Sequence, residues 1–525
     1  MWAEIVKVSL VSLYVAVLVA VAIYGFHRYV LVYLYLKHRD DIYQPKGKFI
    51  ALPRITVQLP MFNEEQVAER VIRHTCQIDY PLDRLEIQVL DDSTDDSAEI
   101  ARKACEEWAA KGYPIKYIHR DNRTGYKAGA LAEGLEQATG DFIAIFDADF
   151  IPPRDILRNV VNYFIDPQIG MVQVRWDHLN RDASILTKSQ AIVLDGHFVI
   201  EHTARNRSGR FMHFNGTAGV WRRQTINDAG GWQHDTLTED LDLSYRAQMK
   251  GWQFVYLPQF CAPAELPPEM IGFKQQAHRW TKGSVQTAIK LLPRILRSRH
   301  LSYRIKTEAF FHLTNTIVYP LMVLLTLLVY PVFFGYVDNF EAPLKAPTWG
   351  HFLFNVGLFI LATCSASTFF IFGQRELFGK EAGWKTILYL PFLMSLGIGI
   401  GLNNAKAVVE AIWGAARRKP SIFVRTPKYG VTGHARTKWR RERVLTFKRL
   451  WLPLLEISFG AYMTSCIGIA VWYHFGYGTI PFLLIFAGGY FYVGFTSLHA
   501  LWKMSREAEV EVEPTLVVGN IGNIE

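Results

Sequence analysis

The sequence predicts an α/β domain, with a mostly parallel sheet, joined to a helical multi-pass membrane region. Three observations carry this. Strand-like and helix-like patterns alternate between residues 55 and 146. Acidic clusters follow two of the strand patterns, Asp91-Asp92 and Asp147-Ala148-Asp149. Apolar runs of about 20 residues, enough to cross a bilayer as helices, flank this part on both sides.

The elements follow in order. Residues 5–26 are apolar, preceded by no strongly basic segment and followed by no small-residue cleavage site, so they are expected to persist as a membrane helix. Ile55-Thr56-Val57-Gln58-Leu59 reads as a short strand ending at Pro60. Residues 66–77 are amphipathic and read as a helix. Residues 85–90 are a strand running into Asp91, and 97–111 a helix with Ser97 as its cap. Residues 115–119 are a strand, 128–138 a helix, and 142–146 a strand running into Asp147. A parallel sheet with helices on both faces accounts for the alternation. Ligands bind such sheets beyond the carboxyl ends of the strands, where both acidic clusters fall. Helices are also expected over 241–250 and, with an amphipathic pattern, over 269–292.

Further apolar runs cover 310–336, 351–372, 450–473 and 480–502. Residues 384–413 are apolar too, but contain Pro391, a glycine cluster at 397–401, Asn403, Asn404 and Lys406. The net charge of +9 is local in origin: residues 417–449 hold twelve Lys/Arg and one acid, Glu442. A basic block beside membrane helices fits the positive-inside rule and contact with phosphate or anionic lipid; no nucleic-acid partner is expected. Keeping that block on the side of residues 27–310 requires 384–413 to lie in the interface or to form a re-entrant hairpin. Five crossings result. The expected division is a membrane helix at 1–30, the α/β domain at 31–265, and amphipathic interface helices at 266–309. Two membrane helices at 310–374, the interfacial or re-entrant segment at 375–416 and a basic loop at 417–449 follow, then two membrane helices at 450–502 and a disordered tail at 503–525. Cys76, Cys105, Cys261, Cys364 and Cys466 show no CxxC spacing and are expected to be reduced packing residues.

Two carboxylates at a strand tip, Asp147 and Asp149, suit a hard divalent cation that also takes phosphate oxygens. Asp91 and Asp92 could accept hydrogen bonds from a base or ribose. The neighbouring Asp95, Asp96 and Ser97 are better explained as a helix start. Arg123-Thr124-Gly125-Tyr126-Lys127 places a glycine turn and an ammonium at a helix N-terminus, a setting that favours anions. Thr238-Glu239-Asp240 precedes a helix. Capping explains a carboxylate there, and so does a general base that takes a proton from an attacking hydroxyl. Attack opposite a leaving diphosphate inverts the anomeric centre. Gln276, Arg279 and Trp280 are spaced i, i+3, i+4 and share one helix face. The indole offers a flat surface for a sugar ring, and the guanidinium suits phosphate; an interfacial tryptophan anchor explains Trp280 as well.

Together these segments resemble the membrane-embedded processive family 2 glycosyltransferases, the group of cellulose, hyaluronan and chitin synthases. The likeness is strongest to the mannan and glucomannan synthase-like branch of the cellulose-synthase-like proteins and its bacterial relatives. The cues are Gln58–Glu64, Val89–Asp95, Ala144–Phe150, Phe214–Trp221, Thr238–Asp240 and Gln275–Trp280. The resemblance implies a glycosyltransferase A-type domain on the cytoplasmic side, in a bacterial inner membrane or a Golgi or plasma membrane. It implies inverting hexose transfer from UDP-glucose or GDP-mannose to a growing β-linked glycan, β-1,4 glucan or mannan, with secretion across the membrane. Asp240 would be the base, with Glu239 beside it. Pro60, Asn63, Glu64, Asp91, Asp92, Lys127, Asp147, Gln276, Arg279, Thr426 and Lys428 would contact the nucleotide sugar. Asp147 and Asp149 would hold Mg²⁺ or Mn²⁺, and Trp280, Asn215 and Gly216 would meet the acceptor. Phe423, Thr426 and Lys428 resemble the family's gating loop, from whose cellulose-synthase form Arg425 and Pro427 depart. The expected partners are the nucleotide-sugar donor, a glycan or lipid acceptor and the bilayer; accessory subunits or a homo-oligomer stay open. The alternative activity is transfer of a single sugar to a lipid.

Overall fold

Strands form where the alternating pattern places them. β1 (Ile55–Met61), β2 (Leu85–Asp91), β3 (Ile115–His119) and β4 (Phe142–Ile145) match the four expected strands within two residues. Three more, β5 (Ile169–His178), β6 (Gly219–Arg222) and β7 (Gln253–Ala264), complete one sheet in the order β3-β2-β1-β4-β6-β5-β7. All neighbours pair in parallel except β6, which is antiparallel to both β4 and β5. The sheet is therefore mostly parallel but mixed. The central parallel strands β1, β2 and β4 are buried on both faces. Phe142 and Ala144 face one apolar cluster with Val57, Leu59, Ile87 and Val89, while Ile143 and Ile145 face a second with Leu131, Trp221 and Leu243. The register aligns Met61, Asp91 and His119 in one row at the carboxyl edge.

This computed structural model describes residues 2–337, 364–417, 447–473 and 479–510, together with Phe423, Arg425, Thr426, Lys428 and Gly430. The α/β half contains α1 (Trp2–His38), α2 (Ala68–Cys76), α3 (Ser97–Ala110), α4 (Tyr126–Gln137), α5 (Ile156–Val161), α6 (Ile185–Gly196), α7 (Thr203–Arg207), α8 (Arg223–Asp228) and α9 (Glu239–Met249). A π-helical turn, His197–His202, lies between α6 and α7. Ser97 is the first residue of α3 and not its cap; the Asp95 carboxylate accepts from the Ser97 N–H at 3.0 Å. The remaining helices are α10 (Met270–Arg297), α11 (Tyr303–Thr314), α12 (Val318–Val337), α13 (Ser365–Phe378), α14 (Lys380–Lys385), α15 (Leu390–Gly399), α16 (Gly401–Ala416), α17 (Phe447–Trp472) and α18 (Ile480–Val510).

Among the described residues, five helical stretches are long and apolar enough to cross a membrane: Val8–His38, Tyr303–Pro331, Lys380–Ala416, Arg449–Trp472 and Ile480–Ser505. Most of the run 351–372, most of the basic block 417–449 and the end of the tail lie outside the described residues. Residues 384–413, expected in the interface or as a hairpin, are helical and interrupted at Ile400. α15 packs on α18, whereas α16 packs on α10 and α12, so the two pieces take different partners instead of closing on each other. Small residues allow the α15–α18 contact. A Cβ added at Gly399 would lie 2.2 Å from the Gly489 carbonyl oxygen. Gly399→Ala is therefore expected to destabilise the bundle by about 1–3 kcal/mol, read as a lower Tm in detergent; an unchanged Tm would remove this contact from the account.

One polar and one apolar anchor join the halves. Lys274 of α10 donates to both oxygens of the buried Glu456 of α17, at 2.6 and 2.8 Å, and to Ser497 of α18 at 3.3 Å. Leu31, Val32 and Tyr35 of α1 pack with Ile192, Val199 and Phe369, seating the first helix on α6, the π turn and α13.

Candidate active site

The carboxyl edge of the sheet gathers the charged residues because β1, β2 and β4 all end there. Asn63, with φ 54°, clamps two loops: its N–H donates to Ser93 Oγ at 2.8 Å, and its Oδ1 accepts from the Thr94 N–H at 2.8 Å. Pro60 sits in β1 opposite Leu90. Asp91 is fully buried; its oxygens accept from the Ser93 N–H at 3.1 Å and the Tyr117 hydroxyl at 2.7 Å. Asp92 is held by Arg120 through both oxygens, at 2.7 and 2.5 Å. Both expected nucleotide contacts are thus committed to partners within the protein.

Lys127 stands in the first turn of α4, after Gly125 and Tyr126, both with positive φ. Its ammonium donates to Asp147 Oδ1 at 2.5 Å and to the Gly216 carbonyl at 2.9 Å. Burial works to lower its pKa, but Asp147, Glu239 and Asp240 raise it on balance. Asp147 is further fixed by its N–H donating to Thr217 Oγ1 at 2.8 Å. Asp149 is 3% exposed. One oxygen accepts from Lys428 at 2.5 Å, while Oδ1 is buried with no partner. Burial, with Asp147 nearby, raises the Asp149 pKa against the pull of Lys428.

Glu239 and Asp240 open α9. A helix N-terminus favours their charged forms by about 0.3–1 kcal/mol. Burial wins: first by desolvation and then by the Glu239 charge, Asp240 is pushed up to about 7. Burial raises Glu239 as well, opposed chiefly by Lys127 and Arg279. Gly216, with φ +81°, lets the chain approach these acids; an added Cβ would meet Asp240 Oδ2 at 3.0 Å. From the other side α10 closes in, with Gln286 Oε1 accepting from the Leu237 N–H at 3.0 Å. α10 carries Gln276, Arg279 and Trp280 on one face, with Trp280 36% exposed. Burial lowers the Arg279 pKa, while Glu239, Asp147, Asp240 and Asp149 all support its charge.

The described residues of the basic loop lie on this site. The Phe423 ring stacks on Tyr126 at 5.7 Å and lies under Arg279 at 4.8 Å. Arg425 pairs with Glu64 at 3.3 Å. Burial raises Glu64 to about 8 despite that partner. Thr426 is buried, its hydroxyl without a partner. Gly430 donates to Glu265 at 3.0 Å, and Glu265 pairs with Arg70 at 2.7 Å. Asn215, expected at the acceptor, pairs its amide with His197 and His213. The sequence placed Arg123 and Tyr126 in the anion-favouring segment with Lys127 but assigned neither a contact of its own; the Arg123 guanidinium lies 3.2 Å from the Phe62 ring centre. Sequence reasoning missed the Arg425–Glu64 pair, which no spacing announces.

A buried and a half-buried carboxylate, like-charged and of raised pKa, faced by a lysine and an arginine at a sheet edge, can accept a proton and hold an anion. A family model described as "Glycosyltransferase like family 2" matches residues 53–283. The chain is 33% identical over 456 residues to glucomannan 4-beta-mannosyltransferase 1 of Oryza sativa subsp. japonica, covering 84% of this chain and 82% of that one. It is 34% identical over 454 residues to glucomannan 4-beta-mannosyltransferase 7 of Arabidopsis thaliana, covering 84% and 76%. Among solved structures it is similar to the mannosyltransferase PcManGT from Pyrobaculum calidifontis in complex with GDP-Man and Mn²⁺, at 20% identity, 76% and 98% coverage and a TM-score of 0.49. With its sheet, its acidic edge and these relatives along most of its length, the chain belongs to glycosyltransferase family 2.

Proposed function

We propose that this chain builds a β-1,4-linked mannan or glucomannan by inverting transfer of a hexose, GDP-mannose being the first donor to test. The observation that carries the mechanism is Asp240: a half-buried carboxylate, with pKa about 7, beside the buried Glu239 and at the open end of the sheet. Asp240 takes the proton from the acceptor hydroxyl as that oxygen attacks the anomeric carbon. The bond to the nucleoside diphosphate breaks on the opposite face, so an α-linked donor gives a β-linked product. Lys127 and Arg279 face the leaving diphosphate, where their charges offset what develops there. Glu64, Gln276, Thr426 and Lys428 complete the donor side, with Phe423 closing over it. Pro60, Asn63, Asp91 and Asp92 support that side by fixing the loops that frame it.

The donor set fits a hard divalent cation, Mg²⁺ or Mn²⁺: it is all carboxylate oxygen, and Asp149 Oδ1 is buried and unpartnered. Asp149 and Asp147 would hold the ion, which when bound neutralises diphosphate oxygens. Lys428 and Lys127 each hold one oxygen of these carboxylates, Asp149 Oδ2 and Asp147 Oδ1, which leaves the other oxygen of each for the ion.

Trp280 supplies an exposed ring for the acceptor sugar. Trp280→Ala is expected to raise the acceptor KM about tenfold, taking the lower part of the ~1–3 kcal/mol that a base gains on an aromatic as the guide for a sugar ring, and to leave donor hydrolysis nearly unchanged. The reverse order places Trp280 elsewhere. The catalytic half is read as cytoplasmic, with the apolar helices crossing the membrane.

The deciding experiment is product analysis. The full chain in nanodiscs is given radiolabelled GDP-mannose or UDP-glucose with Mg²⁺ or Mn²⁺, and products are sized and digested with β-1,4-mannanase or glucanase. A high-mass, mannanase-sensitive product supports the proposal. A single sugar confined to the organic phase overturns it in favour of transfer to a lipid.

A further inference from the structure

Behind the Asn215–Gly216 turn lies a cluster that the transfer reaction does not use. His197, His202 and His213 each offer a ring nitrogen, and these three atoms lie within 4.8 Å of one another. The backbone makes this possible. An α-helix turns 100° per residue, so residues five apart fall about 140° apart around it. The chain from His197 to His202 is π-helical, and closure from i to i+5 stacks the two histidines on one face. His202 Nε2 then lies 3.0 Å from His197 Nε2. π turns of this kind cluster at functional sites.

The surroundings set the chemistry. Glu201 lies 2.9 Å from His197 Nδ1; with Nδ1–H donating to that carboxylate, the Nε2 lone pair points into the cluster. A carboxylate on the far nitrogen is the usual outer support of a metal-bound imidazole. Asn215 Nδ2 lies 3.2 Å from both His197 Nε2 and His213 Nε2. Hydrogen bonding leaves part of this group unserved: His202 Nδ1, His213 Nδ1 and Asn215 Oδ1 are buried without partners, and of these Asn215 Oδ1 is the one an ion held by the Nε2 atoms would serve. Buried polar atoms left unpaired call for a specific cause.

We propose that His197, His202 and His213 hold one divalent transition-metal ion of the zinc type, separate from the aspartate pair. Zinc–nitrogen bonds of about 2.0–2.1 Å in a tetrahedron put ligand atoms about 3.3 Å apart. His197 Nε2 and His202 Nε2, 3.0 Å apart, are already near that spacing, and the third nitrogen, within 4.8 Å of both, closes on them as the ion binds. A half-turn of the Asn215 amide exchanges its Nδ2 for Oδ1, an oxygen donor for the fourth position. Imidazole selects zinc, copper, nickel or iron over Mg²⁺, whereas carboxylate selects the hard ions. The ion would pin the turn whose Gly216 carbonyl receives Lys127. Its role is positioning, since none of the three histidines reaches the carboxylates of the site.

The test uses tag-free full-length protein in detergent, stripped with a chelator and titrated with Co²⁺ alone, without nucleotide. The expected result is one equivalent bound with the intense visible bands of a tetrahedral site, displaced by Zn²⁺ and not by Mg²⁺. The Asp147→Asn/Asp149→Asn variant should bind identically. His197→Gln, at a half-exposed position, should lose the bands, and Glu201→Gln should weaken binding about 10–100-fold. Absence of the bands in the unaltered protein overturns the proposal. So does Co²⁺ binding that survives His197→Gln and disappears in the double aspartate variant.

Discussion

Asp240→Asn is expected to lower sugar transfer by about 10²–10⁴-fold, the usual worth of a positioned base, while leaving donor binding intact. The amide is isosteric and its oxygen can still accept from the Leu241 N–H, which Asp240 now holds at 2.8 Å. Only proton acceptance is lost. The pH profile supplies a second readout. Burial and Glu239 raise Asp240 to about 7, so the basic form appears as pH climbs through that value. Transfer by the unaltered protein should rise over that window and then level, and the Asn variant should show no such limb. Glu239→Gln removes a neighbouring negative charge that raises Asp240, so the limb should move to lower pH. Equal loss of nucleotide binding and transfer in Asp240→Asn would transfer the base role to another residue.

Asp149→Ala is expected to weaken Mn²⁺-dependent binding of GDP about 100-fold or more, because it removes a direct ligand where loss of an outer partner alone costs 10–100-fold. Its unpartnered Oδ1 is the best-placed buried oxygen for the ion, and burial already disfavours leaving it charged and alone. Binding in the presence of a chelator should be equally weak for both proteins. Calorimetric titration of GDP with and without Mn²⁺ reads this directly. A metal titration identical to that of the unaltered protein would place the ion elsewhere.

The first half of the fold was legible because its strands are short, apolar and separated by amphipathic helices of ordinary length. β3 matches its expected bounds, and Phe142–Ile145 differs by one residue. β6 was not legible. It has four residues, two of them Gly219 and Arg222, and it pairs antiparallel with both neighbours, β4 and β5. The acids of the site were readable from their places at strand and helix ends. The commitments of Asp91 to Tyr117 and of Asp92 to Arg120 were not, since those partners come from the next strand and its exit. The histidine cluster escaped for a different reason: helical spacing puts His197 and His202 on opposed sides, and only a π turn brings them together.

The Lys274–Glu456 pair carries a consequence for how this enzyme can be divided. Lys274 belongs to the helix that bears Gln276, Arg279 and Trp280, and its buried counter-charge comes from 182 residues further along. Cutting the chain near residue 300 would strand a desolvated ammonium, and breaking one side of such a pair costs about 3–5 kcal/mol. Catalytic and apolar halves are therefore not modules to be traded between relatives. A chimera must inherit both ends of that bond, or the helix that bears Trp280 loses its buried counter-charge.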